Sequence, residues 1–151
     1  MKTARKLLFY FLSFTWGLPV TLAGLIVSLA LIISGKKPAR WNYCWYFKIG
    51  DVGGGFSLGP FFFVCDRMDE RGMNHEHGHS IQNCWFGPLM PFLVSIPSLI
   101  RYWYRELRYY KNGKEPTVQY DAIWFEGMAT KLGTRLNSIL TRGGEEKNEK
   151  L

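Results

Sequence analysis

From Leu7 to Ile33 the chain reads LLFYFLSFTWGLPVTLAGLIVSLALII, without one charged residue. A helix of about 20 apolar residues spans the hydrocarbon core of a bilayer. This run is long enough to cross with tilt. Its Gly17, Pro19 and Gly24 are residue types that membrane helices tolerate. A secretory signal has an apolar core of roughly 7–15 residues and a small-residue cleavage site. The present core is longer, and SGKKPAR after it reads as a stop-transfer flank. Residues 1–35 are therefore expected to form an uncleaved N-terminal transmembrane anchor.

The charge of the chain fits that expectation. A net charge of +7 raises the question of nucleic acid. The basic residues instead flank apolar segments. Lys2, Arg5 and Lys6 precede the first run and Lys36, Lys37 and Arg40 follow it, while Arg101, Arg105, Arg108, Lys111 and Lys114 trail a second one. Such flanks are what anchoring in a bilayer requires, so a lipid partner is expected and nucleic acid is not. Cys44, Cys65 and Cys84 make an odd number without a CxxC pair, which is no disulfide framework. They read as small buried hydrophobes.

The second apolar run is Cys84–Ile100, CWFGPLMPFLVSIPSLI, broken by Pro88, Pro91 and Pro97. A straight crossing is not expected there; a kinked or re-entrant segment is. Between the two runs, WNYCWYFKIG is aromatic and amphipathic and suits a membrane interface. Gly53–Gly55 lacks the spacing of a phosphate loop and reads as a turn. FSLGPFFFVC reads as one strand and DRMDERG as a polar loop. TVQYDAIWFEGMATKLG reads as a helix with Gly133 at its C-terminal cap, and TRGGEEKNEKL as a disordered tail.

All three histidines lie in His75-Glu76-His77-Gly78-His79, which contains H-E-x-x-H. On a helix, positions i and i+4 share one face a turn apart. His75 and His79 can then hold one zinc ion, with Glu76 beside them as general base toward a water whose pKa zinc lowers to about 7. His77 points from another face and reads as a surface or supporting histidine. A catalytic zinc takes a third protein ligand. Gln82 and Trp85 stand where the metzincin pattern requires glycine and histidine. The candidates are Glu106, Glu115, Asp121 and Glu126. Glu126 is favoured because a carboxylate in the apolar stretch AIWFEGMATKLG is costly unless paired or metal-bound; Asp121 comes next.

HEHGH followed by EGMATKLG resembles the gluzincin metallopeptidases, in particular small membrane-embedded forms and the CAAX-prenyl-endopeptidase type. The resemblance implies His75, His79 and Glu126 as zinc ligands and Glu76 as base. It also implies that an edge strand upstream, within FSLGPFFFVC, binds substrate in extended form. The likeness departs at Thr130, where the family carries an aspartate that orients a ligand histidine. Tyr120 is a candidate for steadying an oxyanion.

The expected fold is a mostly α integral membrane protein: anchor helix, short β element, HExxH helix, Pro-kinked or re-entrant segment, and a second zinc-ligand helix. A membrane-associated metallopeptidase-like domain would cover 36–136 and a polar tail 137–151. The expected function is zinc-dependent hydrolysis of peptide bonds in a membrane or membrane-proximal protein, at the cell (inner) membrane. The alternative is a non-catalytic membrane protein with a structural or vestigial zinc site. Because both ligand sets must meet at one ion, the chain between them must turn back, leaving Asn74 and Lys114 on the same side of the bilayer.

Overall fold

The computed structural model describes residues 2–51, 53–113 and 120–148; the side chains of residues 2, 112, 120 and 142–148 are not described. The fold is mostly helical around a small sheet. Helices α1 (Lys2–Phe14) and α2 (Leu18–Ile33) come first, then strands β1 (Ala39–Trp41), β2 (Cys44–Lys48), β3 (Gly55–Leu58) and β4 (Phe61–Val64). Helices α3 (Glu70–Phe86), α4 (Ile96–Asn112) and α5 (Trp124–Asn148) follow.

The first apolar run does not form the expected single helix. The first apolar run is two helices meeting at 91°, and no single described helix is long and apolar enough to cross a membrane. The elbow has a local cause. Pro19 falls in the first turn of α2, where its missing N–H costs nothing. Gly17 lets the Asn83 side chain against the backbone, where any Cβ would overlap the Asn83 amide. Thr21 Oγ1 donates to Ser13 O at 2.7 Å, and Asn83 Nδ2 to Gly17 O at 3.4 Å. Buried polar groups thus pin the corner, which a sum of hydropathies does not register.

The second apolar run bends as its prolines require. After α3 comes a short 3₁₀ turn, Gly87–Leu89, then a π turn, Pro91–Ser95, and α4 leaves at 117° to the direction of α3. Each proline removes a backbone donor, which favours a break over a straight helix. The two elbows pack together. Gly87, at φ 52°, lies against the Trp16 ring, and Trp16 Nε1 donates to Trp85 O at 3.4 Å. Val20 joins Met90, Val94 and Phe125 in one apolar cluster. Lys114, one end of the expected same-side pair, lies outside the described residues.

The sheet has the order β1-β2-β4-β3. FSLGPFFFVC is a hairpin and not one strand: Gly59, at φ 65°, turns β3 back onto β4, and β4 then pairs parallel with β2. WNYCWYFKIG supplies the β1–β2 hairpin. β4 is buried along its length and alternates with period two. Phe61 and Phe63 pack with Phe47 and α2 residues Val27 and Leu31, whereas Phe62 and Val64 pack with Phe9, Met73 and Cys84. Covered on both faces, β4 fixes the position of β3 at the sheet edge. Of the cysteines, Cys44 and Cys84 are buried and Cys65 is half-buried.

Two further expectations are corrected. α3 begins inside DRMDERG, with Asp69 as its N-cap accepting from Gly72 N at 2.8 Å. Gly133 does not cap α5, which continues through Asn148 and into the segment read as a disordered tail. Leu136 and Leu140 pack on the core. Gly133 serves a close approach: a methyl group there would overlap the Asn74 carbonyl on α3, and one at Gly78 would overlap the Ala129 carbonyl on α5. α3 and α5 therefore lie backbone to backbone along the histidine motif.

Candidate metal centre

α3 carries the motif residues on a helix that is polar yet buried. Asn74, Glu76, His77, His79, Ser80, Gln82 and Asn83 are all inside. His75 and His79, one turn apart, face the first turn of α5. Glu126, fully buried, points back at them. His75 Nε2 lies 3.1 Å from Glu126 Oε2, His79 Nε2 lies 3.2 Å from the same oxygen, and the two Nε2 atoms are 3.1 Å apart. The structure thus brings together the three residues expected as ligands, and they form the one such cluster among the described residues.

The protons on these groups can be traced. Gln82 Nε2 donates to Phe125 O at 2.7 Å, so Gln82 Oε1 accepts from His79 Nδ1–H at 2.7 Å. His75 Nδ1 meets Thr130 Oγ1 at 2.8 Å, and that hydroxyl donates to Glu126 O at 3.3 Å. Both rings therefore carry their proton on Nδ1 and present an Nε2 lone pair inward. Two lone pairs and a carboxylate oxygen within about 3 Å repel one another unless a cation sits among them. A proton can do so. Burial alone would raise the Glu126 carboxyl, but the hydrogen bonds of His75 and His79 outweigh it and hold the group well below the usual carboxylate range. A divalent ion fits better. Tetrahedral ligands at about 2.1 Å from an ion lie about 3.4 Å from each other, close to the spacings seen. Two imidazoles and a carboxylate are a common donor set for such ions.

Compared with known protein families, curated proteins and solved structures, the chain matches none. The site must be read from its own chemistry.

Thr130 meets one ligand ring, that of His75, through a neutral hydroxyl. Gln82 does the same for the other ring and was missed from sequence. The signal was present, since a residue three after His79 lies on the same helix face. Asp121 is not a ligand: its carboxylate pairs with Arg71 at 2.8 Å. Glu106 is exposed on α4. Glu115 and the Tyr120 side chain lie outside the described residues.

Glu76 is buried and held by the edge strand. Ser57 Oγ on β3 lies 2.7 Å from Glu76 Oε2 and 2.7 Å from Glu76 O. The carboxylate opens onto a groove of about 970 Å³ that also exposes His75 and His79. β3 and the Gly53–Gly55 turn form one wall and the α4 residues Ser98 and Tyr102 the other. His77 corrects its expectation. It is fully buried, edge-on to Phe9 and Tyr43, with no hydrogen bond at either nitrogen. Burial pushes its pKa down to about 4, so the ring is neutral, and it takes no part in the cluster.

Proposed function

We propose that this chain is a membrane-embedded zinc metallopeptidase that cleaves membrane-proximal polypeptide. The observation that carries the reading is the His75–His79–Glu126 cluster opening on the same groove as Glu76. Zinc, when held there, acidifies an attacking water and polarises a peptide carbonyl. His75, His79 and Glu126 would hold the ion, oriented by Thr130, Gln82 and the α3–α5 contact. Glu76 takes the proton of the attacking water and hands it to the leaving amine. Ser57 keeps that carboxylate beside the groove. β3 is a terminal strand of the sheet, so an extended peptide can add to its outer edge through backbone hydrogen bonds.

The membrane part of the reading rests on exposed apolar surface. Leu7, Phe11, Leu22, Ile26 and Leu29 on α1 and α2, and Ile96, Ile100, Trp103 and Leu107 on α4, are all about half or more exposed. Exposed apolar side chains on this scale mark a membrane or protein contact. With two bent helix pairs and basic residues beside them, the chain suits insertion into one leaflet.

The test is Glu76→Gln in zinc-loaded protein in lipid, assayed on a peptide tethered at the bilayer surface. Wild-type cleavage lost in Glu76→Gln, with metal and fold retained, is the expected result. Equal turnover by both proteins removes the base role. No turnover by either favours a non-catalytic zinc site.

A further inference from the structure

α4 is amphipathic in the sense opposite to that of a soluble protein's helix. Ile96, Ile100, Trp103, Leu107 and Tyr110 follow one another at helical spacing and are exposed. The opposite face carries Ser98, Tyr102 and Arg105, which line the metal groove. The apolar side thus faces away from the protein and the polar side faces inward. An exposed apolar stripe of this length calls for a cover.

The attachment of α4 is unusual too. The most extensive packing of α4 among the described elements is with the π turn that leads into it. Tyr102 Oη donates to Gly53 O at 3.1 Å across the groove. Ser98 lies beside the Glu126 carboxylate. At its root lie the Gly87–Ser95 turns, where Gly87 at φ 52°, Pro88 and Pro91 interrupt regular helix. α4 thus follows an irregular root and is joined across the groove by the Tyr102–Gly53 hydrogen bond.

We infer that α4 is a hinged lid over the metal groove whose apolar outer face beds in an anionic bilayer surface, so that the groove opens at the membrane. The cover is lipid on two grounds. Arg108 and Lys111, exposed on the same helix, complement anionic headgroups. α1 and α2 also expose apolar side chains, which need the same solvent. The inference rests on the metallopeptidase reading only for what the lid covers. The Tyr102–Gly53 hydrogen bond spans the groove that exposes His75 and His79. Substrates would then be admitted where α4 meets lipid, which selects membrane-proximal segments over soluble peptides.

Two measurements test it in metal-free protein with Cys44→Ala, Cys65→Ser and Cys84→Ala. The first places an environment-sensitive dye on Leu107→Cys, on the outer face, or Glu106→Cys, beside the groove. With phosphatidylglycerol vesicles the dye at 107 should brighten and be quenched by brominated acyl chains, several-fold more than the dye at 106. Pure phosphatidylcholine should give a weaker response. Equal responses, or none, overturn the lipid-facing assignment. Protection of position 107 without lipid, with a doubled mass, would assign the face to a second copy and overturn it as well. The second measurement follows modification of Ser98→Cys, under the lid, by a bulky maleimide. Adding Tyr102→Phe should speed the reaction at least about three-fold, and so should anionic vesicles. A rate unchanged by both overturns the lid. Neither readout uses hydrolysis or metal, so an inactive wild type would remove the peptidase reading and leave the lid to be judged separately.

Discussion

Gly133→Ala sets two effects of opposite sign against each other. In an exposed helix interior the change is worth about 1 kcal/mol of added stability, because alanine is the better helix former. Here the new methyl group would overlap the Asn74 carbonyl, with the Gly78 N–H also close at 3.1 Å. Both are α3 backbone and cannot rotate away. Restoring ordinary contact at ~3.5 Å requires the helices to separate by about 1.5–2 Å. Overpacking of this kind costs about 1–3 kcal/mol, so a net loss of up to ~2 kcal/mol is expected. The larger consequence is at the metal. Glu126 lies two turns earlier on the same α5, and its partners lie on α3. Metal sites tolerate ligand displacements of about 0.2 Å, so a separation several times larger should weaken metal affinity by about 10-fold or more. Thermal unfolding of the metal-free protein and zinc competition against a chromophoric chelator measure the two parts. A Gly133→Ala protein as stable as wild type and with undiminished zinc affinity would refute the backbone-to-backbone packing and the idea that it spaces the ligands.

The remaining expectations concern the cluster itself. His75→Ala, His79→Ala and Glu126→Ala should each lose most of the bound metal by elemental analysis of the purified protein; full occupancy in both histidine variants would rule out the assignment. Thr130→Val should lower metal affinity by about 10–100-fold, the usual cost of removing a group that orients a ligand, whereas Thr130→Asp should retain or tighten it. In the metal-free protein, Glu126 is held below its ordinary 4.5, so its contribution to stability is present above that pH and fades as pH falls further. Burial alone would lower His79, but its bond to Glu126 and the Glu76 charge raise it above its ordinary 6.5, so its contribution is present below that pH and fades as pH rises through the raised value. Denaturant titrations of metal-free protein should therefore peak between those two values, and bound metal should displace the proton and move the optimum upward.

Local periodicity made much of the centre legible. His75 and His79 share a helix face wherever α3 sits in the fold, because the i, i+4 relation depends only on the helix. Glu126 stood out because a carboxylate in an apolar stretch needs a partner. The prolines of 84–100 announced a break, since a missing N–H acts at its own position. Other features depended on residues far apart in the chain. The elbow at Gly17 closes because Asn83 fits against it, and no window around Leu7–Ile33 contains Asn83. β4 pairs parallel with β2 by way of an edge strand folded from what looked like a single run. His77, which reads as a surface residue from its helix face, is buried because α1 and Tyr43 close over that face. Gly133 looked like a helix end because glycine ends helices more often than it packs them. The sequence by itself determined the donor set and its spacing along one helix. Only the tertiary structure decided that Glu126, Thr130 and Gln82 converge on those donors, because that convergence depends on two glycines letting α3 and α5 approach at backbone distance.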